Sequence, residues 1–542
     1  MGQGFVDALT GRGPFVRLPG SESPNLLFVT YDMVPREFWD PDPEAFARKT
    51  APATPALDEL RAHCSFSNAW CTSPLCAPSR AAFLTGRHSY ITTNSERAHD
   101  GHEHELRATD IIFPEYLKAA GYRTRHVGKC HVGASTFVRA FGENDRPWDR
   151  WSPPWHDDED FAEHLRSFGL AGFRYTREIT GLAAGGGRGN STGGWIEGAG
   201  GEAFPEEATY CAFTASRAIR SLDALAAARK PFYLQVDFFE PHQPFAIPSG
   251  LLAREAEIRG GMALPESWKR MRDSGFRSGA GSPRIYDLYR KYWGMRDEST
   301  ALDYLVAHVL QFELLERQTA RIFARMKELG LWENAVVLLC ADHGEMNCEE
   351  ALIDKGAYLN PRVLRVPLFM KDRAGQEGLP EQRGRSAAQA CDSPVSLLDI
   401  APTLLEAAGI RPVAHFDGLG LRRALEGSLR PADKPILFEV WTHVMPNPCV
   451  GAHFSMGTGD FCYVFNAADE VDELYARSKE GAWDTANLID DPLYAEAAAA
   501  CRERLIAVLA SDPRWISWES FFRLKHGESL KDRSADMQRF VE

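Results

Sequence analysis

The sequence has no run of about eighteen apolar residues, the length that a bilayer crossing requires, so no membrane association is expected. It has no cluster of lysine and arginine either. With 61 basic against 75 acidic residues the formal net charge is −14. A nucleic-acid partner is therefore excluded, because phosphate binding needs a concentrated basic surface. An anionic substrate would have to meet positive charge gathered inside a site. The segment from Met1 to Ser23 is glycine-rich and charged, and lacks the continuous apolar stretch of a secretory signal. No CxxC pair occurs among the eleven cysteines. A reduced, cytoplasmic setting is the expectation, with most of these thiols acting as small buried hydrophobes.

What is present is ordinary for a globular protein. The 542 residues are 44% hydrophobic and 25% charged, enough for one large core and a smaller domain. Short apolar runs rich in β-formers predict buried strands at Asn25 to Tyr31, Thr124 to Val127, Phe232 to Phe239 and Ala335 to Ala341. Helical periodicity predicts helices over Thr54 to His63, Phe113 to Ala120, Ala208 to Ala227, Tyr304 to Leu329 and Val395 to Ala408. Thr54-Pro55 reads as a start signal and Gly409 as a stop. The alternation implies an α/β domain with a largely parallel sheet. Gly181 to Gly201 reads as a flexible loop or insertion, less readily as a lid. Trp148, Trp151 and Trp155 either line a pocket or pack a loop. Beyond about residue 430 short strands and then a helix, Ala495 to Ala510, predict a smaller α+β domain. Trp515, Trp518 and Phe522 follow at i, i+3, i+7 spacing.

The residues that end the predicted strands are chemically loaded. Asp32 follows the first, Lys129 and His131 the second, His242 the third, and Asp342 and His343 the fourth. Ligands of open α/β sheets bind outside the carboxyl ends of strands. One polar residue at a strand end is only a cap, but four such ends together indicate a site. The sharpest local signal is Cys76-Ala77-Pro78-Ser79-Arg80, followed by Leu84-Thr85-Gly86-Arg87. Pro78 and Ser79 suit a first helical turn, and Gly86 suits a helix C-terminal cap. Cys76 is thus placed at a helix N-terminus, where an anion is favoured and an unmodified thiol is expected to have a depressed pKa.

With Gly128-Lys-Cys-His131, Pro241-His242-Gln-Pro-Phe245, Ala341-Asp-His-Gly-Glu345, Arg365-Val-Pro-Leu368, Leu397 to Leu404 and Glu473-Leu-Tyr475 in this order, the chain resembles the formylglycine-dependent sulfatases of the alkaline phosphatase superfamily. The resemblance spans about Asn25 to Leu488. It implies an alkaline phosphatase-like α/β sandwich, with a central largely parallel sheet flanked by helices and a smaller C-terminal α+β domain carrying a short antiparallel sheet. The implied division is an N-terminal segment 1–24, a catalytic domain 25–430 and a C-terminal subdomain with tail 431–542.

The same resemblance implies that a separate maturation enzyme oxidises Cys76 to formylglycine. The hydrated aldehyde is a gem-diol: one oxygen attacks sulfur, and the other then loses a proton as the aldehyde re-forms and sulfate leaves. A plain serine sulfate ester would be slow to hydrolyse, whereas a gem-diol ester can eliminate. Asp32, Asp342 and His343 join the residue 76 oxygen as ligands of one divalent metal ion, Mn²⁺ or Ca²⁺, with His343 favouring Mn²⁺. Arg80 and Lys129 hold the gem-diol, His131 is the base for elimination, and His242 and Lys355 contact the sulfate and the leaving oxygen. Asn94 is a further candidate for substrate contact. Met33 stands where many sulfatases carry a second acidic ligand, and His343 where many carry asparagine. In this the chain resembles the branch containing choline sulfatases and phosphonate monoester hydrolases. A small-molecule sulfate monoester is the expected substrate. A phosphonate monoester or phosphodiester is the alternative, and a non-catalytic protein that kept the fold is a more distant one. A homo-oligomer is expected.

Overall fold

Each predicted strand appears where the apolar runs lie. They form the centre of a mixed sheet in the computed structural model, which describes residues 15–18, 23–40, 51–92, 106–107, 109–144, 147–183, 185–279, 281–373, 389–427, 434–466, 471–479, 481–484 and 486–514. Among these residues the sheet has eight strands, in the order Gln389–Cys391, Cys64–Phe66, Leu368–Lys371, Ala335–Ala341, Asn25–Asp32, Phe232–Pro241, Arg123–Gly128 and Glu143–Asn144. The last five run parallel, and only Leu368–Lys371 pairs antiparallel with its neighbours. A parallel sheet must be covered on both faces, and this one is. Phe28 and Tyr31 lie an odd number of residues apart on one strand and so point to opposite faces. Phe28 meets Phe83 of the helix Cys76–Thr85 edge-on at 5.4 Å, and Tyr31 meets Phe312 of the helix Glu298–Glu328 at 6.0 Å. Tyr210–Ala227 and Pro55–Arg61 pack with Glu298–Glu328, while Phe113–Ala119 and Ile400–Ala407 pack with Cys76–Thr85.

A second, antiparallel sheet of four strands follows: Ile436–His443, Met445–Met456, Gly459–Asn466 and Glu473–Ala476. The helix Ala495–Ser511 closes it by burying Cys501, Leu505 and Leu509.

The glycine-rich stretch corrects a sequence expectation. Most of Gly181 to Gly201 is not a loop but the strand Arg188–Gly198, paired antiparallel with Phe173–Leu182 and parallel with Phe245–Pro248. Glycine is used there because neighbouring backbones come too close for a side chain. A Cβ at Gly193 would lie 2.2 Å from the Phe245 carbonyl, and one at Gly194 would lie 2.1 Å from that of Arg177. Trp195 is buried with the Arg177 guanidinium 3.5 Å over its ring. The run at Val395 is corrected too: Val395–Ser396 pairs with Ala69–Trp70, and the α-helix begins only at Ile400.

Thr54-Pro55 marks a real helix start, but Thr54 makes no capping bond. The free backbone N–H groups of Ala56 and Leu57 donate instead to the fully buried Glu316 carboxylate at 2.9 and 3.0 Å, and Tyr31 donates to its other oxygen at 2.7 Å. Burial outweighs these donors and pushes the Glu316 carboxyl up to about 7 from 4.5. In the pH window between those values the unfolded chain ionises first, so this group's contribution to stability is full below pH 4.5 and is lost as pH rises to 7. The loss should reach about 3 kcal/mol. Denaturant titrations at pH 4.5 and pH 8 should show the wild type losing more stability than Glu316→Gln. Equal losses in the two proteins would refute the assignment.

Candidate active site

The strands that carry the chemistry lie side by side and parallel, so their carboxyl ends open on one edge of the sheet. Asp32 is the last residue of its strand. Asp342 and His343 follow Ala341, which pairs with Tyr31. Lys129 follows Gly128, and His242 follows Pro241. Cys76 is the first residue of its helix, which ends as predicted at Gly86 in the left-handed conformation, φ 64°. Ser79 Oγ donates to the Asp342 carbonyl at 2.5 Å and ties that helix to the loop carrying Asp342 and His343.

Asp32, Cys76, Asp342 and His343 converge, with one ligand atom of each within 4.8 Å of the others, and all four are buried. Cys76 Sγ stands 3.2 Å from His343 Nε2 and 3.6 Å from Asp32 Oδ1. His343 Nε2 is 3.7 Å from Asp32 Oδ1 and 3.6 Å from Asp342 Oδ1. The Gly344 carbonyl, an acceptor only, lies 2.9 Å from His343 Nδ1. That nitrogen must therefore carry the proton, which leaves the Nε2 lone pair facing the cluster. Arg80 Nε donates to Asp342 Oδ2 at 2.8 Å, and Nη2 stands 3.5 Å from Asp32 Oδ2. Lys129 Nζ pairs with Asp32 Oδ2 and donates to the Trp151 carbonyl at 3.1 Å. Burial alone would raise the Asp32 carboxyl, but the charges of Lys129 and Arg80 outweigh it and hold it well below the carboxylate range.

Across the cluster, His242 and Lys355 form a second pair. His242 Nδ1 donates to the Gln243 carbonyl, so its bare Nε2 accepts from the Lys355 ammonium. Burial lowers the His242 pKa well below its ordinary value, and Lys355 lowers it further. Burial would also discharge Lys355, but the carboxylates of Asp354, at 3.1 Å, and Asp32 raise its pKa and keep it an ammonium. His131 is buried two residues beyond Lys129, in the left-handed region at φ 55°.

The expected depressed thiol pKa at Cys76 is overturned. Burial, followed by the negative charge of Asp32, pushes it up to about 12, and this exceeds what Lys129 and Lys355 contribute in the other direction. Of the three tryptophans, Trp148 and Trp155 pack on the cluster around Phe161 and Tyr210. Trp151 is 40% exposed, with its ring 5.9 Å from that of His242. Asn94, Trp515, Trp518 and Phe522 lie outside the described residues.

Sequence reasoning passed over several neighbours. Asp237 Oδ1 is 3.7 Å from Arg80 Nη1, and Asp237 Oδ2 is 2.9 Å from His126 Nε2. The signal was available: Gln235 and Asp237 are polar at i, i+2 inside an otherwise apolar run. Met33, already singled out in the sequence, has its Sδ 3.9 Å from Lys355 Nζ. His443, at the end of a C-terminal strand, stacks on Tyr289, whose hydroxyl accepts from the Ala357 N–H at 3.0 Å, two residues beyond Lys355.

Comparison with known proteins agrees with this geometry. The Sulfatase family matches residues 24–410. The chain belongs to that family. Its fold and motif order place it in the alkaline phosphatase superfamily, and it is a sulfuric ester hydrolase by class. It is 25% identical over 462 residues to the uncharacterized sulfatase YidJ of Escherichia coli K12, covering 84% of this chain and 81% of that one. It is 24% identical over 472 residues to the choline-sulfatase of Rhizobium meliloti, covering 82% and 79%. The phosphonate monoester hydrolase of Silicibacter pomeroyi shares its fold at TM-score 0.65 and 16% identity, covering 89% of this chain and 94% of that one. As in sulfatases generally, the buried donor set suits a divalent cation: two carboxylates, one imidazole with its lone pair inward, and the side chain of residue 76. No helix among the described residues is long and apolar enough to cross a membrane.

Proposed function

We propose that this chain hydrolyses sulfate monoesters through a formylglycine hydrate at residue 76 and one divalent metal ion. The observation that carries the reading is the convergence of Asp32, Cys76, Asp342 and His343 on one point, with Arg80 and Lys129 on one side and His242 and Lys355 near it. The metal ion, Mn²⁺ or Ca²⁺ with His343 favouring Mn²⁺, would be held by Asp32, Asp342, His343 and the residue 76 oxygen, and would supply Lewis acidity there. The hydrated aldehyde supplies a nucleophilic oxygen and a second hydroxyl through which the sulfate is later released. Arg80 and Lys129 orient that residue. Lys355, held as an ammonium against His242 Nε2, presents a proton to the departing ester oxygen. His131 takes the proton from the second hydroxyl.

A separate maturation enzyme would install the aldehyde. The reading includes a catalytic domain over residues 25–430 with a C-terminal subdomain after it, a cytoplasmic setting and assembly as a homo-oligomer. Asn94 is retained as a substrate contact.

A second reading, a phosphonate monoester or phosphodiester hydrolase, is favoured by Met33, a thioether beside Lys355 where another carboxylate would add an oxygen ligand. Parallel kinetics on aryl sulfate and aryl phosphonate esters separate the two. The sulfate reading expects the higher kcat/KM on the sulfate, in a sample whose Cys76 peptide has the aldehyde mass and which carries one metal per chain. Full activity in a sample that shows only the free thiol, or that holds no metal, would refute it.

A further inference from the structure

A buried carboxylate stands behind Arg80, and none of the roles above uses it. Asp237 is wholly buried on the strand Phe232–Pro241. Its Oδ2 accepts from Gln235 Nε2 at 2.7 Å and lies 2.9 Å from His126 Nε2, while Gln235 Oε1 accepts from the Tyr233 hydroxyl at 2.7 Å. Three side chains thus fix one carboxylate so that Oδ1 faces Arg80 Nη1 at 3.7 Å. The Asp237 backbone reaches the other basic residue, because its carbonyl accepts the Lys129 N–H at 2.9 Å. Gly128 makes that approach possible, since a Cβ there would lie 1.9 Å from the same carbonyl. Arg80 therefore meets three carboxylates, Asp342 through Nε, Asp32 nearest Nη2 and Asp237 through Nη1. Asp32 and Asp342 belong to the metal donor set. Asp237 does not, and of the site's charged side chains it is Arg80 that its carboxylate faces.

We propose that Asp237 sets the charge selectivity of the site, so that a singly charged tetrahedral group is accepted and a doubly charged one is disfavoured. This rests on the ester-hydrolase reading above. A sulfate or phosphonate monoester carries one negative charge, whereas a phosphate monoester carries nearly two near neutral pH. Arg80 is among the groups that make the site positive. A fixed negative charge on its Nη1 reduces the field a substrate feels, and a dianion loses more by this than a monoanion. The effect is large because the groups are buried, where charges are screened less than in water. Asp237 is a positioning residue: it touches Arg80, not the substrate.

The test uses the matured enzyme and two substrates with the same leaving group, nitrophenyl sulfate and nitrophenyl phosphate. Asp237→Asn keeps the shape and removes the charge. The expected result is a rise in kcat/KM on the phosphate that exceeds any change on the sulfate, a shift of the sulfate-to-phosphate ratio toward phosphate of roughly tenfold or more. Asp237→Ser removes the same charge with a smaller side chain and should shift the ratio the same way, and Asp237→Glu should restore it toward wild type. A merely structural role would lower both substrates by one factor. That outcome, or an unchanged ratio in whichever neutral variant retains the wild-type circular dichroism, overturns the proposal. If wild-type enzyme turns over neither ester, the ester-hydrolase reading fails first and the selectivity claim falls with it.

Discussion

Replacing Cys76 by serine is expected to turn catalysis into one stoichiometric event. The serine oxygen would occupy the position where Sγ now lies 3.2 Å from His343 Nε2 and 3.6 Å from Asp32 Oδ1, within the field of Lys129 and Lys355. It could therefore attack sulfur. It could not release the product, because a serine sulfate has no second hydroxyl whose deprotonation re-forms a carbonyl. A burst of one phenol per chain should be followed by steady-state turnover lower by roughly 10⁴-fold or more, with sulfate retained on the residue 76 peptide. Cys76→Ala should show neither burst nor turnover. If the serine variant cycles at the wild-type rate, the aldehyde hydrate is not the working nucleophile. If the alanine variant cycles, residue 76 is not the nucleophile at all.

The site was legible because its residues sit at places that local chemistry marks. Asp32, Lys129, His242 and Asp342 each interrupt an apolar run at its carboxyl end, and parallel pairing then brings those ends together without any information about tertiary packing. Gly86 marked the end of the helix that opens with Cys76 for the same local reason.

What the sequence hid depends on contacts between distant residues. Glu316 replaces Thr54 as the cap of Pro55–Arg61 from 260 positions away, so no local propensity could show it. Gly181 to Gly201 looked like a loop because glycine was read as freedom, whereas here it permits close backbone contact at Gly193 and Gly194. The thiol pKa of Cys76 was misjudged because a helix N-terminus is a local feature and complete burial is not. Asp237 was hidden inside a run whose apolar majority dominated the reading. Its meaning depends on His126 and Arg80, 111 and 157 positions distant.

The basic residues should separate by step. Lys355 donates to the bare Nε2 of His242, and the two stand as a unit in the field of Asp32. In the proposed mechanism they serve the ester bond as it breaks. A poor leaving group needs that proton or that charge, while a nitrophenolate needs little. Lys355→Ala and His242→Ala should therefore slow alkyl or sugar sulfates much more than nitrophenyl sulfate, with the steeper dependence in Lys355→Ala because the ammonium carries the proton. His131 is buried two residues beyond Lys129, and in the proposed mechanism it serves the opposite half of the reaction. His131→Ala should release a burst of phenol and then turn over slowly, with sulfate held on residue 76 whatever the leaving group was. Each loss should be of the order of general acid–base catalysis, roughly 10²–10⁴-fold in rate. Rapid-quench measurements of the three variants on a good and a poor leaving group decide the matter. If His131→Ala gives no burst and no retained sulfate, and its defect grows with the pKa of the leaving group, then His131 acts with Lys355 on the departing oxygen and the base for release must be sought elsewhere.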